Sequence, residues 1–393
     1  MVVLQVIFTL NFQDYPNRLG MTRHEKSKSR LHTKLRAPKR LVNNMHRNNN
    51  FVEKIRGCSH PFMIAEIGIN HNGDIQLAKE MIDAAVENGA DCVKFQSFAA
   101  DKYISPSAAR AEYQDQPGFE SNSQRDIISA CELTPDEMYY LKSYADGKNV
   151  AFLSTPFEKW SLRHLVEMRL EAIKVSSCNL TNIDFLRELA ATELPVLLST
   201  GMSNLQEVTT AVQIFEISRS PLLLFQCTSN YPSNPANANL KVLQTYQQLF
   251  STPVGLSDHT TSNTTSIAAV ALGAVAIEKH FTLSKTLPGI DQKASMEPNE
   301  LKSLVKDLHE CYSALGSPLK FRAAEEENTA AALRRSLFAA KDIKTGHVFD
   351  EECVIAMRPG TGISPDKLSS LVGKIFARDV AAGKMISMED VKS

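Results

Sequence analysis

Two lysines, one carboxylate, two imidazoles and a ring of hydroxyls and amides recur at one kind of place in this sequence, the closing end of a short apolar run. Glu66, Lys94 with Gln96, Ser154 with Thr155, Lys174 with Ser177, Ser199, Thr228 with Ser229, Ser257 with His259, and His280 all stand there. A hydrophobic core needs none of them. Lysine binds phosphate as a point charge, and neutral imidazole is a common ligand of borderline divalent ions. If these groups converge, they describe a pocket for a phosphorylated anion beside a metal.

The runs that carry them are FMIAEIG (62–68), DCVKFQ (91–96), VAFLST (150–155), EAIKVSS (171–177), PVLLST (195–200), LLLFQCTS (222–229), PVGLSDH (253–259) and VAIEKH (275–280). They are too short for helices and rich in Val, Ile, Leu and Phe, so they read as parallel strands buried on both faces. Helix-like stretches such as IQLAKEMIDAAVENG, TPDEMYYLKSYADG and LQEVTTAVQIFEI lie between them. Strand and helix alternating eight times predict a (β/α)8 TIM barrel, whose sites lie at the C-terminal ends of the strands.

Length allows such a barrel plus a smaller domain: the chain has 393 residues. A net charge of −1 argues against bulk nucleic-acid binding, and no apolar run is long enough to cross a bilayer. Seven cysteines without CxxC spacing fit reduced thiols in a cytoplasmic protein. Residues 1–50 differ in kind. An apolar start is followed by a basic, acid-poor segment ending in NNMHRNNN, without the charge order or cleavage site of a secretory signal. This leader reads as a disordered tail or as sequence upstream of a later start such as Met21 or Met45, with a transit peptide as the alternative. The barrel is placed at 51–316, a charged, Ala-rich linker at 317–333, and a small β-rich module at 334–393 with the similar turn units DIKTG and VAAGK.

AEIGINHNGD (65–74), GADCVKFQ (89–96), STPFE (154–158), KVSSCNLTN (174–182), LSTGM (198–202), QCTSNYPSN (226–234), GLSDHT (255–260), ALGAVAIEKHFT (271–282) and LPGID followed by SMEP (287–298) resemble the sialic acid synthase family. The last module, with RPGTGI (358–363) and LVGK (371–374), resembles the antifreeze-like SAF domain of those synthases. The resemblance implies condensation of phosphoenolpyruvate with an N-acylated amino sugar, releasing phosphate. It implies that His259 and His280 hold Mn²⁺ or Mg²⁺. Lys94 and Lys174, with Thr155, Ser177, Ser199, Ser229 and Ser257, would bind phosphoenolpyruvate, and Glu66 would be the acid/base carboxylate. An ion pair with Glu66 is the plainer alternative for either lysine. Gln96, Tyr231 and Asp291 match sugar-side positions, and Arg358 matches an arginine that reaches the partner's barrel in a domain-swapped homodimer.

One departure stands out: the family's acidic residue after the fourth strand is Asn179 here, and an amide cannot take a proton at neutral pH. AEYQ (111–114), in the loop after the second strand, looks closer to bacterial legionaminate-type synthases than to animal ones, so N-acetylmannosamine and a 6-deoxy diacetamido sugar both stay open. Two other functions compete. A Schiff-base barrel aldolase would make Lys174 a nucleophile but leave the histidines without a shared task. A non-catalytic sugar-binding protein would have no reason to keep both lysines, Glu66, His259 and His280.

Overall fold

The computed structural model describes residues 50–111, 114 and 123–392; most of the leader, and Glu112 and Tyr113 of AEYQ, lie outside them. Eight parallel strands form the sheet: β1 (Phe62–Gly68), β2 (Cys92–Ser97), β3 (Ala151–Pro156), β4 (Ile173–Val175), β5 (Val196–Ser199), β6 (Leu222–Cys227), β7 (Val254–Ser257) and β8 (Ala276–His280). Their order is β3-β2-β1-β8-β7-β6-β5-β4, and β3 packs beside β4 to close the barrel. Each predicted run matches one of these strands, β2 and β3 extending one residue further, to Ser97 and Pro156.

The helices start where the sequence supplies caps. Asp74 accepts from the backbone of Gln76 and Leu77 to open Ile75–Glu87, and Thr134 with Glu137 forms a capping box ahead of Pro135–Gly147. Asn204 with Glu207 does the same for Leu205–Ser218. The inward faces of these helices, including Met81, Leu141 and Phe215, bury against outward strand residues such as Met63, Val93 and Leu198 in one continuous core. Nothing in that layer is available for chemistry, which leaves the strand ends.

Two elements go beyond the sequence reading. A six-residue helix, Phe51–Arg56, capped by the Asn50 side chain, inserts Phe51, Val52 and Ile55 among Phe62, Ile64, Leu197 and Leu223 toward the N-terminal ends of the strands. It floors the barrel. The linker contains the helix Glu327–Leu333 (ENTAAAL), as its alanines favour, with Arg322 paired to Glu327 at 2.7 Å just before it.

In the C-terminal module β9 (Ser336–Ala339) pairs antiparallel with β10 (Val354–Met357), and β11 (Ile375–Phe376) with β12 (Val391–Lys392). Phe349 stacks on Phe376 at 5.1 Å within a separate small core. The two similar turns clasp each other reciprocally: Asp379 accepts from Thr345 N at 2.8 Å, and Asp342 from Ala382 N at 2.8 Å.

Candidate active site at the barrel mouth

Strand register positions the chemistry. Glu66 lies opposite Lys94 across β1 and β2, and opposite His280 across β1 and β8. Gln96 stands opposite Thr155, and Ser257 opposite Glu278. Partnered positions share a face of the sheet, so these side chains enter the barrel together. The β1–β2 ladder then skips Ile67, and Gly68 turns away at φ +58°. A Cβ there would meet Glu66 Oε1 at 3.1 Å and Gln96 Nε2 at 3.2 Å, so glycine supplies both the conformation and the space.

At the base of the cavity in the barrel mouth lie two ammonium and two carboxylate groups, all buried. Lys94 Nζ is 2.5 Å from Glu66 Oε2 and 3.7 Å from Glu278 Oε2, while Lys174 Nζ is 3.7 Å from Glu278 Oε1. Hydroxyls and one amide add hydrogen bonds to this cluster. Lys94 donates to Thr155 at 3.3 Å, Lys174 donates to Ser199, Ser257 donates to Glu278 at 2.9 Å, and Gln96 donates to Glu66 at 3.2 Å. Burial pushes the Glu66 carboxyl up to about 7 against the pull of Lys94. For Glu278 burial acts the same way, but Lys174 and Lys94 outweigh it and hold the carboxyl below its usual range. Burial draws Lys174 down, whereas Glu278 and Glu66 overcome that effect at Lys94 and raise it. The outcome is a ready cation pair for an anionic ligand and one carboxyl poised to exchange a proton near neutrality.

Beside this cluster the His259 and His280 rings are 5.5 Å apart, and Tyr231 lies 4.1 Å from His259 and 5.5 Å from His280 between ring centres. His259 Nδ1 donates to the Thr228 carbonyl at 2.8 Å, which leaves Nε2 as its free ligand atom. His280 is neutral, held well below its usual range by burial and then by the surrounding cations, and its buried Nδ1 has no hydrogen-bond partner among the described residues. An orphaned buried nitrogen on a neutral imidazole, across from a second anchored imidazole at the end of the neighbouring strand, fits a divalent ion. Asp291, raised to about 6 by burial, has Oδ2 3.9 Å from that nitrogen.

Glu66, Lys94, Gln96, Thr155, Lys174, Ser177, Ser199, Tyr231, Ser257, His259 and His280 all line the cavity. Ser229 instead faces an adjoining groove, and Asp291 stands behind His280. Arg358 is exposed in the C-terminal module and does not line the cavity of its own chain. Asn179 is buried outside the cavity lining, donating to the Phe157 carbonyl at 3.0 Å and accepting from Asn182 at 3.2 Å. Sequence reasoning missed Glu278. Its signal was the alternation in β8: Ala276, Glu278 and His280 face inward, whereas Lys279 faces outward and pairs with Asp258 at 3.0 Å.

The NeuB family pattern matches residues 81–320 and the SAF domain pattern residues 334–392. The chain is 40% identical to the N,N'-diacetyllegionaminic acid synthase of Legionella pneumophila, over 86% of this chain and 97% of that one. It is also 40% identical to the enzyme of the same name from Campylobacter jejuni, over 82% and 98%. Among solved structures, the N-acetylneuraminic acid (sialic acid) synthetase of Leptospira borgpetersenii, in complex with citrate, is 36% identical with a TM-score of 0.63, covering 69% of this chain and 90% of that one. With an eight-stranded barrel, the charge cluster at its mouth and a SAF module to follow, the chain belongs to the NeuB family.

Proposed function

We propose that this protein is a synthase that condenses phosphoenolpyruvate with an N-acylated amino sugar, forming a nine-carbon sialic-type acid and releasing phosphate. The observation that carries the reading is the pair Lys94 and Lys174, buried and ringed by Thr155, Ser177, Ser199 and Ser257 at the strand ends. Two ammoniums in a low-dielectric cavity match the phosphate and carboxylate of phosphoenolpyruvate, and stabilise the charge that moves onto phosphate as it departs.

C3 of the enol bonds to the aldehyde carbon of the sugar, whose oxygen takes a proton. Water adds at C2, and the C2–O bond to phosphate then breaks. Glu66, poised near neutrality, takes the proton from that water or orients it. His259 and His280 would hold Mn²⁺ or Mg²⁺, which when bound supplies Lewis-acid polarisation of the aldehyde. Gln96, Tyr231 and Asp291 serve the sugar side. The Legionella and Campylobacter relatives are diacetyllegionaminic acid synthases, which supports a 6-deoxy diacetamido sugar ahead of N-acetylmannosamine.

A domain-swapped homodimer is the assembly we assign. Arg358 stands away from its own chain's cavity, and Ile355, Met357, Ile375 and Met388 leave apolar surface exposed on the C-terminal module. No helix among the described residues is long and apolar enough to cross a membrane, and the cysteines are free thiols, in keeping with a cytoplasmic enzyme.

The test is phosphate release from phosphoenolpyruvate with a panel of N-acylated amino sugars, with and without excess chelator. Release that needs both a sugar and a divalent ion supports the reading. Trapping of a borohydride-reduced Schiff base on Lys174, with activity surviving chelation, overturns it in favour of an aldolase.

A further inference from the structure

Two segments carry more buried polar groups than the chemistry above uses. Residues 69–74 (INHNGD) follow β1, and residues 287–296 (LPGIDQKASM) follow β8. They interlock. Asn70, 1% exposed, donates through Nδ2 to the Phe281 carbonyl and to Ser295 Oγ, both at 2.8 Å. Ser295 Oγ in turn donates to the Asp291 carbonyl at 2.7 Å. Gln292, fully buried, returns the contact by donating to the Asn70 carbonyl at 2.9 Å, and Thr282 donates to its side-chain oxygen. At the rim Asn72 donates to the Pro288 carbonyl at 2.8 Å.

Each end of this network touches the site. Phe281 follows His280 directly, and Met296 N donates to the His280 carbonyl at 2.7 Å. Asp291 presents its carboxylate 3.9 Å from His280 Nδ1. Among the described residues no side-chain hydrogen bond holds the Asp291 carboxylate there, so its place depends on the backbone that Ser295 and Gln292 fix. A loop held by four buried side-chain donors is rigid, because releasing it would strand those donors without water.

We propose that Asn70 is a positioning residue whose side chain, through Ser295, fixes the Asp291 carboxylate against His280. The assignment of Asp291 to the sugar side rests on the function proposed above; the clasp itself rests on the hydrogen bonds. Asn70 is not among the residues that line the cavity and acts through Asp291. Loss of such a supporting contact commonly costs ten- to a hundredfold in function.

The experiment compares Asn70→Ala and Ser295→Ala, which break the same chain at successive links, with Asp291→Ala and the double variant Asn70→Ala/Asp291→Ala. Amide hydrogen exchange is read first, on the full-length protein without substrate. Either single clasp variant should speed exchange in residues 288–296 while the β1 and β2 amides keep their protection. Unchanged exchange in 288–296 overturns the clasp whatever the enzyme's substrate, and loss of protection throughout the barrel shows Asn70 to be a general fold residue, which overturns it equally.

Kinetics follow. Asn70→Ala and Ser295→Ala should each raise KM for the amino sugar roughly tenfold or more and leave KM for phosphoenolpyruvate within about twofold. In the Asp291→Ala background the Asn70→Ala change should add little. Additive losses mean that Asn70 acts elsewhere and sink the proposal. A wild-type protein that turns over no amino sugar, yet shows the predicted exchange pattern, would refute the functional reading and leave the clasp standing.

Discussion

Lys94 and Glu66 form a contact of 2.5 Å inside the barrel, and Glu278 on β8 competes for the same ammonium from 3.7 Å. A single cation shared by two carboxylates cannot fully support both as anions, so Glu66, raised by burial to about 7, is the one that titrates near neutrality.

The sign of the pH dependence follows. Between the usual carboxylate range and about pH 7 the folded chain keeps a proton on Glu66 that the unfolded chain has released, so this group's contribution to stability falls as pH rises through that window. If the ionised carboxylate handles water, turnover rises across the same window. Glu66→Gln should flatten both limbs and lower kcat by about 10²–10⁴. Paired pH–rate and pH–melting profiles check it; an unchanged rising limb in the variant would assign the titration to another group.

Glu278→Gln should destabilise the fold by roughly 3–5 kcal/mol, because it removes the counter-charge that faces Lys174 and half of that facing Lys94. Urea unfolding at neutral pH gives the number. A loss below about 1 kcal/mol would show that the lysines are solvated despite their burial.

Asn179→Glu tests the family's missing carboxylate. Asn179 uses its NH2 on the Phe157 carbonyl and its oxygen on Asn182, so a glutamate loses the first bond and places a charge beside a carbonyl oxygen. kcat/KM is expected to fall about tenfold, in line with an unmet buried polar group. A faster enzyme on its own sugar would show that the acid had been missing from the chemistry.

Arg358→Ala should raise KM for the sugar far more than KM for phosphoenolpyruvate. Mixing this variant with inactive His259→Ala under subunit exchange should restore activity, since a swapped mixed dimer holds one site with an intact barrel and an intact arginine. Proven exchange without recovery would place the arginine in its own chain's site.

Much of this was legible beforehand because a parallel barrel strand is buried on both faces and therefore appears as an unbroken apolar run; Val93, Leu198 and Ile277 mark three of them. Polar residues at the ends of those runs then identified the mouth. Glu278 escaped because it sits inside a run, two residues before His280, where only strand alternation betrays it. Asn70 and Ser295 escaped because they are 225 residues apart and meet only through the closure of β1 onto β8. Phe51–Arg56 escaped because six residues beside a basic leader carry too little periodicity to signal a helix.

That small helix sets where the folding unit must begin. A chain starting at β1 would retain every strand and every residue of the mouth, yet Phe62, Ile64, Leu197 and Leu223 would form a greasy, solvent-facing ring at the opposite end. Such a ring invites self-association. Chains trimmed just past Gly57 should therefore precipitate at concentrations where chains that keep Asn50 onward stay clear, a difference in colloidal behaviour written some fifty residues from the start of the sequence and at the far pole of the barrel from the chemistry.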